Sequence, residues 1–232
     1  MPLLIFPFEI GKDPFPIFDI VYQLRNKGIT VLCVWEDYWN NKNELIRQKI
    51  QGETKGRKRI FGRNCEIHTL HKKEADAFFE ANHLLGSARA KYRYGLFYRG
   101  QLIAAAAFSG MRNIERGSHL CRSAEWVRYA SLPLITVIGG MGKMLSAFVL
   151  EHKPDDVMSY ADKEWSEGAT YTKLGFERAG ETPVQAYWLD TETLQRYPQK
   201  RYPVPQPQWK QVYGLGSLKF VKFFSNTVIN FT

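Results

Sequence analysis

Cysteine is scarce in this chain, with three residues among 232. Cys33, Cys65 and Cys121 are scattered and form no CxxC pair. Neither a disulfide framework nor a thiolate metal finger is expected, and reduced thiols fit the set. Long apolar runs are also missing, since no stretch reaches the roughly 18 residues of a membrane-spanning helix. The opening MPLLIFPFEI is apolar but is broken by Pro2, Pro7 and Glu9. It lacks the basic start and small-residue cleavage site of a signal peptide, so it reads as a core element of a cytoplasmic protein. Acidic residues are the third shortage. Asp plus Glu number 23 against 32 Lys plus Arg, a formal charge of +9, and a surplus of that sign favours polyanions, nucleic acid before anionic cofactors. Metal ligands do not converge either. Cys65 and His68 would face opposite sides of one strand, and no metal site is expected.

What is present is an ordinary folding composition, 44% hydrophobic and 24% charged, in a chain long enough for one domain with additions. Residues 1–60 read as an N-terminal αβα segment with a basic linker: helical Phe15–Asn26, β-rich Ile29–Trp35 and helical Asn43–Ile50, then Lys55 to Arg63. Residues 61–192 alternate strand and helix patterns. Cys65–Leu70 reads as a strand, Lys72–Asn82 as a helix, and Tyr94–Tyr98 with Leu102–Phe108 as a hairpin around Arg99-Gly100. Ala124–Tyr129 follows as a strand, Gly142–Glu151 as a helix, Val157–Tyr160 as a strand, Glu167–Leu174 as a helix and Gln185–Leu189 as a strand. The fold class expected is α/β, with a mixed sheet flanked by helices. Residues 193–232 read as a proline-rich linker or strap over the surface, then a tail with β-prone Thr227-Val228-Ile229.

The chemistry concentrates after residue 136. Val137-Ile138-Gly139-Gly140-Met141-Gly142-Lys143 places glycines between a strand and a helix. Backbone N–H groups at such a helix start suit an anion, and Lys143 adds a positive charge. A plain tight turn is the alternative reading. Next come the strand ending Tyr160-Ala161-Asp162, the segment Lys163–Ser166, and a helix bearing Tyr171-Thr172-Lys173-Leu174-Gly175-Phe176. Open α/β sheets bind ligands at such strand ends.

This order of parts resembles the GNAT acyltransferases: strand, pyrophosphate loop, helix, strand, and a helix with Tyr-x-x-x-Gly-Phe. The resemblance implies acetyl-CoA or a related acyl-CoA as cofactor. Val137, Ile138, Gly139, Gly140, Gly142 and Lys143 would line the loop, and Tyr171 would be the acid for the departing thiolate. The family loop usually carries Arg or Gln where this chain has Val137. A narrower likeness is to phage Mom-type DNA-modifying enzymes and domains attached to phage homing endonucleases. It rests on Asn82-His83 with Gly86, Tyr94-Gly95-Leu96, Glu125-Trp126-Val127-Arg128, and Tyr160-Ala161-Asp162 with Ser166 and Gly168. Those enzymes usually have Tyr after the histidine, where this chain has Leu84. The likeness implies a functional set of His83, Arg128, Asp162 and Tyr171. Gly28–Trp39 with Asn43–Ile50 resembles the end of a very-short-patch-repair-type nuclease, without its paired carboxylates.

The residue types suit those roles. His83 titrates near neutrality, Asp162 can accept an amine proton, and Arg128 can fork around an oxyanion. Each also has a structural reading: His83 as a helix cap, Arg128 paired with Glu125, Asp162 capping a turn. Lys55, Arg57, Lys58, Arg59 and Arg63 form the densest positive run, and Arg89, Lys91 and Arg93 interleave with tyrosines. Cations beside rings suit phosphates and bases, DNA first and tRNA second, although a solvated strand face would look alike. The leading expectation is a GNAT-like transferase that modifies nucleic acid, its target base turned out of the stack. The alternatives are a non-catalytic DNA-binding module from a mobile nuclease, and an N-acetyltransferase acting on a small-molecule or peptide amine.

Overall fold

The computed structural model describes residues 3–8, 12–117 and 119–224, the first six by backbone alone. In chain order the elements begin β1 (Leu3–Phe8), α1 (Phe15–Asn26), β2 (Thr30–Trp35), α2 (Glu36–Lys55) and β3 (Lys58–Phe61). After a 3-10 turn at Gly62–Asn64 come β4 (Glu66–Thr69), α3 (Lys72–Asn82), β5 (Tyr92–Tyr98), β6 (Gln101–Phe108), β7 (Arg112–Arg116) and β8 (His119–Ser131). There follow β9 (Ile135–Ile138), α4 (Gly140–His152), β10 (Asp156–Asp162), α5 (Ala169–Lys173) and β11 (Glu177–Glu181). Last are β12 (Gln185–Asp190), β13 (Arg196–Pro198), β14 (Trp209–Gly214) and β15 (Ser217–Phe223). The β-prone stretch at 227–229 lies outside the described residues. No helix among the described residues is long and apolar enough to cross a membrane.

The chain divides into two units: residues 1–46, 161–169 and 180–219, and residues 47–160, 170–179 and 220–232. These boundaries do not follow the three stretches read from the sequence. In the first unit β1 and β2 pair in parallel, and β13, β12 and β14 form a small sheet in that order. Alternate residues of β2, Val31, Cys33 and Trp35, join Phe18 and Val21 of α1 and Leu215 in one buried cluster. Proline at the start of α1 suits a position whose N–H has no helical partner. The segment read as a proline-rich strap contributes β13, registered against Tyr187–Leu189.

The second unit rests on a mixed sheet of order β11-β15-β10-β8-β6-β5-β4, with β7 also paired to β8. β8 is antiparallel to β6 and parallel to β10. Helices cover it, as the α/β expectation required. Ala105 and Ala107 of β6 pack with Ala75, Phe78 and Phe79 of α3. Phe108, of the other parity, stacks on Phe148 of α4 at 4.0 Å. The alanine run Ala104–Ala107 is at most 2% exposed. Small side chains on both faces let the helices approach the sheet closely. Buried Asp156 is paired by Arg116 at 3.2 Å and by the Ser123 hydroxyl.

Candidate functional site

The ladder between β6 and β8 slips by one residue. Ala107 faces Arg128, yet Phe108 faces Trp126, which makes Val127 the extra residue of a bulge. The bulge puts Trp126 and Tyr129 on one face although they are three residues apart. On its other edge β8 pairs with β10 only from Ser123↔Asp156 to Trp126↔Ser159, so their shared register ends where the bulge begins. There buried Ser159 Oγ lies 2.9 Å from the Trp126 carbonyl and 2.8 Å from the Tyr171 hydroxyl. A carbonyl only accepts and a serine carries one proton. Ser159 therefore has one proton for two acceptors, donating it to the Trp126 carbonyl or to the Tyr171 hydroxyl. The Tyr171 ring stacks on Phe220 at 5.3 Å and meets Trp126 edge-on at 6.2 Å. Burial raises the Tyr171 phenol above its ordinary range, and the Ser159 bond partly offsets this. Tyr129 is raised for the same reason, with Tyr171 adding to it.

The glycine loop is a turn closely fitted to its surroundings. Gly139 caps α4 with φ 73°, a conformation glycine adopts without strain. A Cβ at Gly140 would meet Val137 at 2.7 Å and Leu96 at 3.0 Å. One at Gly62 would stand 3.1 Å from the Gly140 nitrogen. The 62–64 turn thus leans on the loop, and Lys143 fastens it: its amine donates to the carbonyls of Gly62, at 3.1 Å, and Cys65. The sequence assigned Lys143 to an anion; the structure commits its protons to the chain's own backbone. The first-turn amides of α4 remain the loop's donors, having no intrahelical partners.

His83 and Arg128 come together, by way of backbone. His83 ends α3, and its Nδ1 accepts the Leu85 N–H at 3.1 Å. That bond uses the Nδ1 lone pair a base would need and, in the neutral ring, puts the proton on Nε2. Arg128 Nε donates to the Gly86 carbonyl at 3.1 Å, and Nη1 donates to the Val127 carbonyl at 2.9 Å. Arg128 thus fastens the turn after α3 to β8. Its expected ion pair with Glu125 is replaced by Arg112 with Glu125, at 3.4 Å.

The basic residues divide. Arg57 is held by the Pro133 carbonyl at 3.1 Å and Glu53 at 2.7 Å. Arg93 donates to the Ala90 carbonyl, and Lys91 sits 5.3 Å from the Tyr92 ring centre. Lys55, Lys58, Arg59, Arg63 and Arg89 are exposed.

Asp162 belongs to the first unit, among charges that sequence reading did not assemble. Its Oδ1 accepts the Glu164 N–H at 2.9 Å, the turn-capping role. Glu164 is 3% exposed, and its Oε1 takes the Trp35 indole N–H at 2.8 Å and the Leu215 N–H at 3.3 Å. Burial, then the nearby Asp162, push its carboxyl up to about 8. Asp162 is raised as well, chiefly by burial. Arg196 forks onto Asp37 at 2.6 and 2.7 Å and lies over the rings of Tyr38 and Trp35, at 4.3 and 4.9 Å. Burial also pushes the Cys33 thiol up to about 12. Arg196 follows a turn and precedes Tyr197-Pro198, and no local pattern marks it as a buried cation.

No family model and no curated protein matches the chain. Among solved structures it resembles several N-acetyltransferases. A GNAT family acetyltransferase from Elizabethkingia anophelis, with acetyl-CoA bound, is 12% identical over 69% of this chain and 99% of its own, with a TM-score of 0.42. A ribosomal-protein-S5-alanine acetyltransferase from Vibrio fischeri is 9% identical over 72% and 96%, at 0.43. A polyamine N-acetyltransferase from Drosophila melanogaster is 11% identical over 69% and 100%, at 0.41.

Proposed function

We propose that the second unit transfers an acyl group from a coenzyme A thioester to an amine, with Tyr171 as the acid. The observation that carries this reading is the proton arrangement where β8 and β10 part. A neutral, desolvated phenol on a half-buried tyrosine stands at the end of the shared register with its hydroxyl oriented by Ser159. The order of glycine loop, strand and Tyr-x-x-x-Gly-Phe helix supports it from the sequence. A thioester donor supplies an acyl carbon already activated by a thiolate leaving group.

The residues fit such a donor through backbone more than through charge. The first-turn amides of α4 would hold its pyrophosphate, whereas Lys143 is engaged elsewhere and Val137 is packed under Gly140. Tyr171 Oη keeps its proton because burial disfavours the phenolate, so it can release that proton only to a strong base held nearby. As the proton leaves, Ser159 can turn its own proton from the Trp126 carbonyl toward Tyr171 Oη and stabilise the charge that forms. We assign no base: the Nδ1 lone pair of His83 is taken, and Asp162 Oδ1 caps its own turn by accepting the Glu164 N–H. The chain's positive charge favours an amine carried by nucleic acid over one on a free metabolite or a peptide.

Calorimetry with acetyl-CoA and with acetate tests donor binding. Thiol release with amine panels, and nucleoside mass spectrometry on DNA and tRNA from expressing cells, test transfer. Binding of acetyl-CoA with release lost in Tyr171→Phe supports the reading. Absence of binding, or full activity in Tyr171→Phe, overturns it.

A further inference from the structure

Three cations of the second unit, Arg59, Arg63 and Arg99, are exposed and carry no ion pair among the described residues. They contrast with Arg57, Arg93, Arg116, Arg128 and Lys143, each bound to a carboxylate or a carbonyl. The three lie close in the fold. Arg59 and Phe61 project from the same face of β3, with buried Ile60 between them on the other. β3 pairs with β9 on one edge and with no strand on the other among the described residues. Phe61 is 44% exposed, unusual for a ring that could have been buried, and the Arg63 guanidinium lies 5.0 Å from its centre. β4 pairs Glu66 with Phe97, so the end of β5 brings Tyr98 and Arg99 beside the turn bearing Arg63. Arg99 repeats the cation–ring pairing, 5.3 Å from Tyr98.

We propose that this surface, formed by Arg59, Phe61, Arg63, Tyr98 and Arg99, binds a single strand of nucleic acid. The cations would neutralise phosphates while the exposed Phe61 ring stacks on a base. Two features favour a single strand over other polyanions. An acidic peptide or a duplex satisfies cations but offers no free aromatic face, because duplex bases are already stacked. A single strand offers both at every nucleotide. Guanidinium groups beside rings can also bond a phosphate in a fork while lying flat against a base. The proposal goes beyond the transfer reading, because binding needs no acyl donor and its failure would leave that reading standing.

Fluorescence anisotropy of the full chain with labelled oligothymidine tests it, with a hairpin duplex of the same length, polyglutamate and coenzyme A as competitors. With three phosphates neutralised, affinity for the single strand is expected to fall about 20-fold between about 50 and 200 mM salt. Arg59→Ala with Arg63→Ala should cut the slope of that dependence to about a third, while Arg59→Lys with Arg63→Lys preserves it. Phe61→Ala should weaken the single strand about tenfold and leave the slope unchanged; Phe61→Tyr should bind as the parent does. Melting curves matching the parent confirm that each variant is folded. The proposal is overturned if the Arg59/Arg63 alanine variant binds like the parent, or if the duplex binds equally well and ignores Phe61→Ala. It is also overturned if polyglutamate competes as well as the strand, or if equimolar coenzyme A displaces it, which would assign the surface to the cofactor's own nucleotide.

Discussion

The two units solve the problem of an interior in different ways. The first buries ionisable groups: Arg196 with Asp37, and Asp162 and Glu164 with a single indole and two backbone amides. The second buries rings and methyl groups, Phe108 on Phe148 and an alanine run between helices, and admits one fully paired carboxylate, Asp156. An apolar interior is indifferent to pH. An ionic one is held by geometry, because each group is stable only while its partner is present. The first unit should therefore be the pH-sensitive one, and the second the steadier platform for the hydroxyl pair at Ser159 and Tyr171.

The largest effect that would test this contrast comes from breaking the ion pair. Asp37→Ala leaves Arg196 buried without its fork and is expected to cost about 3–5 kcal/mol in urea unfolding. Replacing both residues with apolar ones of similar size should recover most of that loss. A cost equal in the single and double variants would mean that the charges are not coupled. Phe148→Ala in the second unit should cost about as much, by cavity formation, but its cost should be the same at pH 5 and pH 8.

A pH titration sharpens the comparison further. Glu164 carries a carboxyl raised from 4.5 to about 8, so the folded state holds the proton more tightly than the unfolded one. Its stabilising contribution is complete below the unfolded value and is lost as pH climbs through the folded one, a decline of a few kcal/mol at most. Glu164→Gln should flatten that decline, and hydrogen exchange should locate it in β2 and around Leu215. A decline that persists unchanged in Glu164→Gln would assign it elsewhere.

Smaller effects are expected at the hydroxyl pair. Ser159→Ala removes the bond that lowers the Tyr171 phenol, so its titration, followed by carbon-13 tyrosine resonances, should move upward, with a stability cost of about 1 kcal/mol. Ser159→Thr should restore the parent value. No movement in Ser159→Ala would show that Tyr171 is not oriented by this serine. Least of all, Leu150→Lys on exposed α4, at 77% exposure, should change stability by less than about 0.5 kcal/mol.

Much of the architecture was legible because it is local. The apolar spacing of Phe15–Asn26 and Lys72–Asn82 gives α1 and α3 at the residues read, and Arg99-Gly100 marks the β5–β6 turn. Reading fell short where local pattern and tertiary pairing diverge. β8 (13 residues) extends beyond Ala124–Tyr129 at both ends, because β7 pairs along His119–Ser123 and β6 holds Ala130 and Ser131. α2 starts directly at Glu36, with non-helical geometry at Lys42 where the sequence pattern breaks. Among site residues, the position of Tyr171 in a short helix was readable. Ser159 was not, because a serine within a buried strand looks like any small residue until its partners are known.

By itself, then, the sequence determined the periodic elements, the glycine turn before α4 and the excess of positive charge, since each depends on neighbours along the chain. Only the tertiary structure decided which charges are spent. Lys143, Arg57 and Arg128 are bound to the chain's own carbonyls and carboxylates, Arg196 is enclosed by rings, and Arg59 and Arg63 are left facing water. The reason is physical: a cation's chemistry is set by the oxygen atoms within about 3 Å of it, and those come from residues far away in sequence.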